Sequence, residues 1–202
     1  MAGHSPASDL PEGKPEKKTC LVSRLLAGLF GDKLLFWILI VILVPADLWT
    51  KEIVISHVNE HAAQGTFENI PVVWVAEHWF GLVSVNNRGG PWGVGSDFSG
   101  LLKVVRIAAL GVILFLLYTT PRGAWIQIAA LAMIMSGALG NIWDTLTIGS
   151  VRDFLYFDFD IPPADPWPAF NVADSLICVG VILLATLLCV DWSKDRKRTI
   201  EK

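Results

Sequence analysis

The chain has 202 residues, 53% of them hydrophobic and only 17% charged, with a formal net charge of -3. That composition lies outside the range of an ordinary soluble domain and points to a membrane protein. So small a charge, with its basic residues in short clusters beside apolar runs, argues against a nucleic-acid partner. Cys20, Cys178 and Cys189 show no CxxC spacing, and the latter two lie inside an apolar run, so neither a disulfide nor a metal cluster is expected.

In chain order, residues 1–30 read as a disordered to amphipathic tail, because the opening stretch is rich in Pro, Gly, Ser and Lys and carries no apolar run. The first apolar run leads into Pro45, Ala46 and Asp47 with no small-residue cleavage site, so it is expected to stay in place as an anchor. Residues 31–192 read as the membrane domain and 193–202 as a basic tail. Four apolar segments mark the domain: Leu34 to Trp49, Ile107 to Thr120, Gly123 to Trp143 and Ser175 to Val190. Only the third is expected to span unaided, since it meets the roughly 20 residues needed to cross a bilayer without a charged residue. The others reach that length by taking in ionisable residues: Asp47 and Lys51, Lys103 and Arg106, and Asp174. Such ends are where function is to be sought.

Lys and Arg gather before the first segment, in the turn at Arg122 and after the fourth, which predicts that both termini are cytoplasmic. The acidic connections, residues 52–100 and 150–170, then face outward. Lys103 and Arg106 sit on the wrong side for this rule and read as cations snorkelling to the outer interface. Within residues 52–100, the run from Ile70 to Val85 is rich in β-prone residues and tryptophan, and predicts a small sheet lying at the membrane surface. The expected fold is therefore an α-helical integral membrane protein of four transmembrane helices with a small extracytoplasmic β-sheet. Its helix directions bring Asp47, Lys51, Asn141, Asp144, Asp153, Asn171 and Asp174 to one membrane face.

Two other patterns need weighing. His57, Glu60 and His61 match H-x-x-E-H, in which two histidines a helical turn apart bind zinc and the glutamate acts as base. A third ligand would have to come from Glu68 or Glu77, and five-residue patterns recur by chance. A transporter is the other alternative, since intramembrane carboxylates can form an ion path. Four spans without paired, broken inverted repeats make a poor one.

Several blocks carry a more specific likeness. Gly140-Asn141-Ile142-Trp143-Asp144, Gly149-Ser150-Val151-Arg152-Asp153-Phe154 and Phe170-Asn171-Val172-Ala173-Asp174-Ser175 stand in order with Asp47-Leu48-Trp49-Thr50-Lys51 and Asn87-Arg88-Gly89-Gly90. Over roughly Leu34 to Trp192 the chain resembles lipoprotein signal peptidase, also called signal peptidase II. The resemblance implies an aspartic endopeptidase of the bacterial cytoplasmic (inner) membrane, working at the outer face with Asp153 and Asp174 as its catalytic pair and no cofactor or metal. It implies supporting or substrate-binding roles for Asn141, Asp144, Asn171, Asn87, Gly89, Asp47 and Lys51. The implied partners are membrane lipids and prolipoproteins bearing a diacylglyceryl-cysteine, cut just before that cysteine, with a globomycin-type inhibitor. Three features depart from the family, the first being Gly90, Pro91 and Trp92 in place of a small, small, Phe pattern. Thr145 stands where the family has arginine, a gap that Arg152 or Arg88 is expected to fill. The proline-rich stretch from Asp158 to Pro168 reads as a longer flap over the site.

Overall fold

The computed structural model describes residues 21–31, 33–61, 66–67, 70–76, 79–89, 99–159 and 167–200. Most of the expected N-terminal tail, Glu68, Glu77, Gly90, Pro91, Trp92 and residues 160–166 of the expected flap lie outside the described residues.

Five helices and four short strands follow one another: α1 (Leu21–Phe30), α2 (Leu34–His61), β1 (Thr66–Phe67), β2 (Ile70–Ala76), β3 (Phe80–Asn87), α3 (Ser99–Thr119), α4 (Trp125–Thr147), β4 (Val151–Phe157) and α5 (Val172–Ile200). The fold is mostly helical with one small antiparallel sheet. Trp125–Thr147 and Val172–Ser193 are long and apolar enough to cross a membrane. The sequence expects only the first of these to span unaided; α5 also qualifies, because Asp174 sits in its first turn and the apolar run follows without a break. Helices α2, α3 and α5 turn large apolar side chains outward, among them Val41, Phe115, Ile182 and Leu188. An apolar surface of that extent suits lipid and not water.

Helix α2 runs past the expected boundary at Glu52 to His61. The segment Ile53–Val58 contains neither Gly nor Pro, and Val58 is buried, so nothing there ends the helix. The first ten residues of the expected outer β-rich loop are therefore helical. Pro45 lies within α2, at the cost of one backbone hydrogen bond.

The core joins Phe36 of α2, Ile113 and Leu117 of α3, and Ile128, Leu131 and Met135 of α4. Buried Lys33 fastens the start of α2 to the end of α3, donating from Nζ to the Thr120 carbonyl at 2.7 Å. Half of the spanning window of α4 is buried but little of that of α5, so α4 is the central helix and α5 lies against it. The two approach closely because small residues face each other. A Cβ at Gly137 would collide with the carbonyl oxygen of Ala173, and one at Gly180 would lie 2.8 Å from that of Ala130.

The sheet has the order β1-β2-β3-β4, all antiparallel, with two-residue β1 on its edge. The β2–β3 hairpin pairs Val73 with Leu82; β4 then adds to β3 with Val85 opposite Asp153 and Asn87 opposite Val151. Strand β4 is not foreseen by the sequence analysis, although Val151, Phe154, Tyr156 and Phe157 are β-prone. Between α4 and β4 the chain turns at Gly149, whose φ of 84° a side chain would strain. That turn delivers Asp153 beside the end of the bundle.

Gly137→Val should lower stability by about 1–3 kcal/mol through overpacking. Denaturation in detergent micelles checks this against Gly111→Ala, where a new Cβ meets nothing within 4 Å; equal stability of the two variants would dismiss the close α4–α5 contact.

Candidate active site

The polar residues of α2, α4 and α5 would each be costly in an apolar bundle, and they meet one another at the end nearest the sheet. Lys51 lies at their centre, fully buried. Its Nζ donates to Asn141 Oδ1 at 3.0 Å and lies 2.8 Å from Asp47 Oδ2 and 3.3 Å from Asp144 Oδ2. Both carboxylates are also wholly buried. The contact to Asp47 Oδ2 is off the hydrogen-bonding direction and is ionic. Asp47 Oδ1 accepts instead from the backbone N–H of Ala173 at 2.8 Å, one of the N–H groups that the start of α5 leaves without a helical partner.

Asn141 has its oxygen turned to Lys51, so its amide nitrogen faces away and donates to Asp174 Oδ1 at 2.7 Å. Asn171 caps α5. Its Oδ1 accepts from the N–H of Asp174 at 3.0 Å, and Asp174 Oδ2 accepts from the N–H of Asn171 at 3.2 Å. These are the two reciprocal bonds of a capping box. The nitrogen of the same Asn171 side chain donates to Asp153 Oδ1 at 2.7 Å. One asparagine thus bridges Asp153 on β4 and Asp174 on α5.

Asp153 Oδ2 takes a further bond of 3.1 Å from Asn87 Nδ2, while Asn87 Oδ1 accepts from the N–H of Gly89 at 2.9 Å. Asp153 is almost fully buried. Burial, with the Asp174 carboxyl adding to it, pushes its pKa up to about 7; the amides of Asn87 and Asn171 pull in the opposite direction. Both aspartates line a cavity of about 600 Å³, whose apolar wall includes Trp167, Phe170, Ile177 and Val179. The ends of the expected flap are fixed to the sheet: Asp158 N–H donates to Trp79 O at 3.1 Å and Trp167 N–H to Phe157 O at 3.2 Å.

All nine residues singled out in the sequence therefore lie in one connected network. Asp144 is joined to it through Lys51 and through Arg152, whose Nη2 donates to Asp144 Oδ1 at 2.8 Å and whose Nη1 donates to Glu52 at 2.9 Å. Neither arginine expected to replace the family's guanidinium faces the cavity: Arg152 is taken by Asp144 and Glu52, and Arg88 is exposed. Arg106 lines it instead. The sequence carries a signal for it, since a cation inside an apolar run marks function by default, and Arg106 faces the cavity instead of snorkelling away from it.

The H-x-x-E-H pattern forms the last turn of α2. His61 Nδ1 lies 2.9 Å from the His57 carbonyl, both rings are clear of the core, and no three metal-binding side chains converge among the described residues. The third ligands considered for it, Glu68 and Glu77, lie outside those residues.

Residues 39–190 match the family model described as signal peptidase (SPase) II. A lipoprotein signal peptidase of Geobacter sulfurreducens is 40% identical over 135 residues, covering 65% of this chain and 78% of the relative. Another, of Acinetobacter baylyi, is 35% identical over 156 residues, covering 74% and 79%. A solved bacterial membrane enzyme, determined by the in meso method, superimposes with a TM-score of 0.64 at 26% identity and covers 82% of this chain and 92% of that one.

Replacing Lys51 by Met would leave the Asp47 and Asp144 carboxylates buried without their counter-charge. The expected loss of stability is about 3–5 kcal/mol, read from denaturant unfolding in detergent. A loss below about 1 kcal/mol, the scale of an exposed ion pair, would remove Lys51 from its central place.

Proposed function

The chain belongs to the signal peptidase II family of aspartic proteases, and from that premise we propose that Asp153 and Asp174 cut prolipoproteins just before a diacylglyceryl-modified cysteine. The observation that carries the reading is the Asn171 bridge: its side-chain nitrogen holds the Asp153 carboxyl and its backbone N–H holds that of Asp174, both on the wall of one largely apolar cavity.

Two carboxyl groups that share a desolvated site titrate as a pair and keep one proton between them. Asp174 occupies the third helical position of α5, where backbone N–H groups and the helix dipole favour an anion, so it is the base. Asp153, whose pKa lies near 7, carries the proton. In the proposed reaction Asp174 takes a proton from a water molecule, whose oxygen attacks the scissile carbonyl carbon. Asp153 donates a hydrogen bond to the carbonyl oxygen as negative charge develops there. The intermediate collapses when the leaving amine receives a proton from the pair. Asn141 and Asn171 hold the two carboxyl groups in register throughout, and Lys51 holds Asn141.

The apolar wall of the cavity suits the signal helix and the acyl chains of the modified cysteine. The protein sits in the bacterial cytoplasmic membrane with α2, α3, α4 and α5 as its four spans. Both termini are cytoplasmic, and the site lies at the outer face, where the sheet rests. The positions of the Lys and Arg clusters support this orientation.

Asp153→Asn and Asp174→Asn should each reduce cleavage of a lipid-modified precursor by at least about 10²–10⁴-fold, the usual contribution of a positioned acid or base. Substantial turnover by either variant, purified in folded form, would rule out the pair.

The pH profile has a definite sign. Because the folded-state pKa of Asp153 is raised, the neutral carboxyl is present at lower pH and is lost as pH rises through about 7. Catalytic efficiency, kcat/KM, should therefore fall on that alkaline limb, about tenfold per pH unit once one proton is lost. The Asn87 amide favours ionised Asp153, so Asn87→Ala should move the limb to higher pH. A limb that stays in place or moves down would contradict the assignment of the proton.

A further inference from the structure

Arg106 reaches out of α3 and spans two other elements. Its Nη1 donates to Thr145 Oγ1 on α4 at 3.0 Å, and its Nη2 donates to the carbonyl of Gly89, two residues beyond Asn87, at 3.2 Å. The Thr145 hydroxyl in turn donates to the Asn141 carbonyl at 2.7 Å. Arg106 is thereby tied to two of the three asparagines whose amides donate to the aspartates, Asn141 on one side and Asn87 on the other. It lines the cavity with Asp153 and Asp174. Among the described residues no carboxylate lies within ion-pairing distance of it, and these two bonds use only two of the five N–H donors of a guanidinium.

Position 145 explains how this cation comes to be there. Threonine is short, and its hydroxyl ends 3.0 Å from the guanidinium. A longer side chain at 145 would fill the space that Arg106 now occupies. We propose that Arg106 binds the substrate backbone, its unused N–H donors holding a carbonyl oxygen of the precursor beside the scissile bond, and that it does from α3 what a guanidinium carried at position 145 would do from α4. The inference rests on the peptidase reading. The acceptor is a carbonyl because the stretch of precursor around the cut is neutral main chain. The two protein bonds fix the guanidinium plane before substrate arrives, so little side-chain entropy is lost on binding.

The test uses the full chain in detergent micelles with a synthetic lipid-modified precursor peptide. Arg106→Ala should lower kcat/KM roughly 10- to 100-fold, mainly through a higher KM, the range for lost hydrogen bonds to a charged group. The exchange variant, Arg106→Ala with Thr145→Arg, should recover at least about tenfold of that loss. Arg106→Gln lacks the charged fork and ends two bonds short of the guanidinium nitrogens that reach Thr145 and Gly89; it should raise KM while a cooperative unfolding transition shows that it is folded. If Arg106→Ala does not fold, Arg106→Gln decides alone. Turnover with the KM of the unmodified chain in Arg106→Gln, or an exchange variant that folds yet gains nothing, would overturn the inference and leave the peptidase reading standing. Absence of cleavage by the unmodified chain would instead remove the peptidase reading, and this inference with it.

Discussion

The ammonium group of Lys51 is wholly withdrawn from solvent, and the cost of burying it organises the end of the bundle where the polar residues lie. Desolvating a cation is tolerable only where counter-charges and acceptors surround it, and here they come from its own helix, through Asp47, and from α4, through Asn141 and Asp144. The consequence reaches beyond stability. An asparagine amide can point either way, and with its oxygen claimed by Lys51 the nitrogen of Asn141 has one direction left, toward Asp174. Aspartate positions are thus set by a charge that never enters the cavity.

Helix α5 shows the same economy in its first turn. A helix start leaves backbone N–H groups without partners. Asp47 takes that of Ala173, and Asn171 takes that of Asp174. Those bonds belong to ordinary helix capping, yet they hold Asp174 and leave the nitrogen of Asn171 free to reach Asp153. Local structure and site geometry rest on the same atoms, so α5 cannot begin elsewhere without taking the aspartate bridge apart. The sheet contributes the other half: β3 carries Asn87 and β4 carries Asp153, and their antiparallel pairing brings amide and carboxyl within 3.1 Å.

Of the three arginines near the site, two do its cationic work. Arg152 closes the Asp144 side and extends to Glu52 at the surface, Arg106 faces the cavity, and Arg88 is exposed. At position 145 the short threonine side chain presents its hydroxyl to a cation from a neighbouring helix, Arg106. Side chains on facing helices share the same interior volume, so a short residue on one lets a long one from the other reach in.

Much of this was legible in the chain itself. Apolar runs marked α2 to α5 but not α1, which lies in the stretch read as a tail; β-prone residues marked β2 and β3, and the spacing of Asp, Asn and Lys blocks pointed to the family and to the nine residues of the network. Those signals are local, or sum over a few turns. Which cation faces the aspartates was not legible: Arg106 reads as a misplaced surface charge until α3 is packed against α4, and Arg152 reads as its substitute until Asp144 and Glu52 claim it. The length of α2 and the pairing of β4 were likewise decided by neighbours. The physical reason is separation along the chain. Asp47 meets Ala173 across 126 residues, Lys51 meets Asn141 across 90 and Asn87 meets Asp153 across 66. Residue type determined what each group needs, and only tertiary packing decided which partner supplies it.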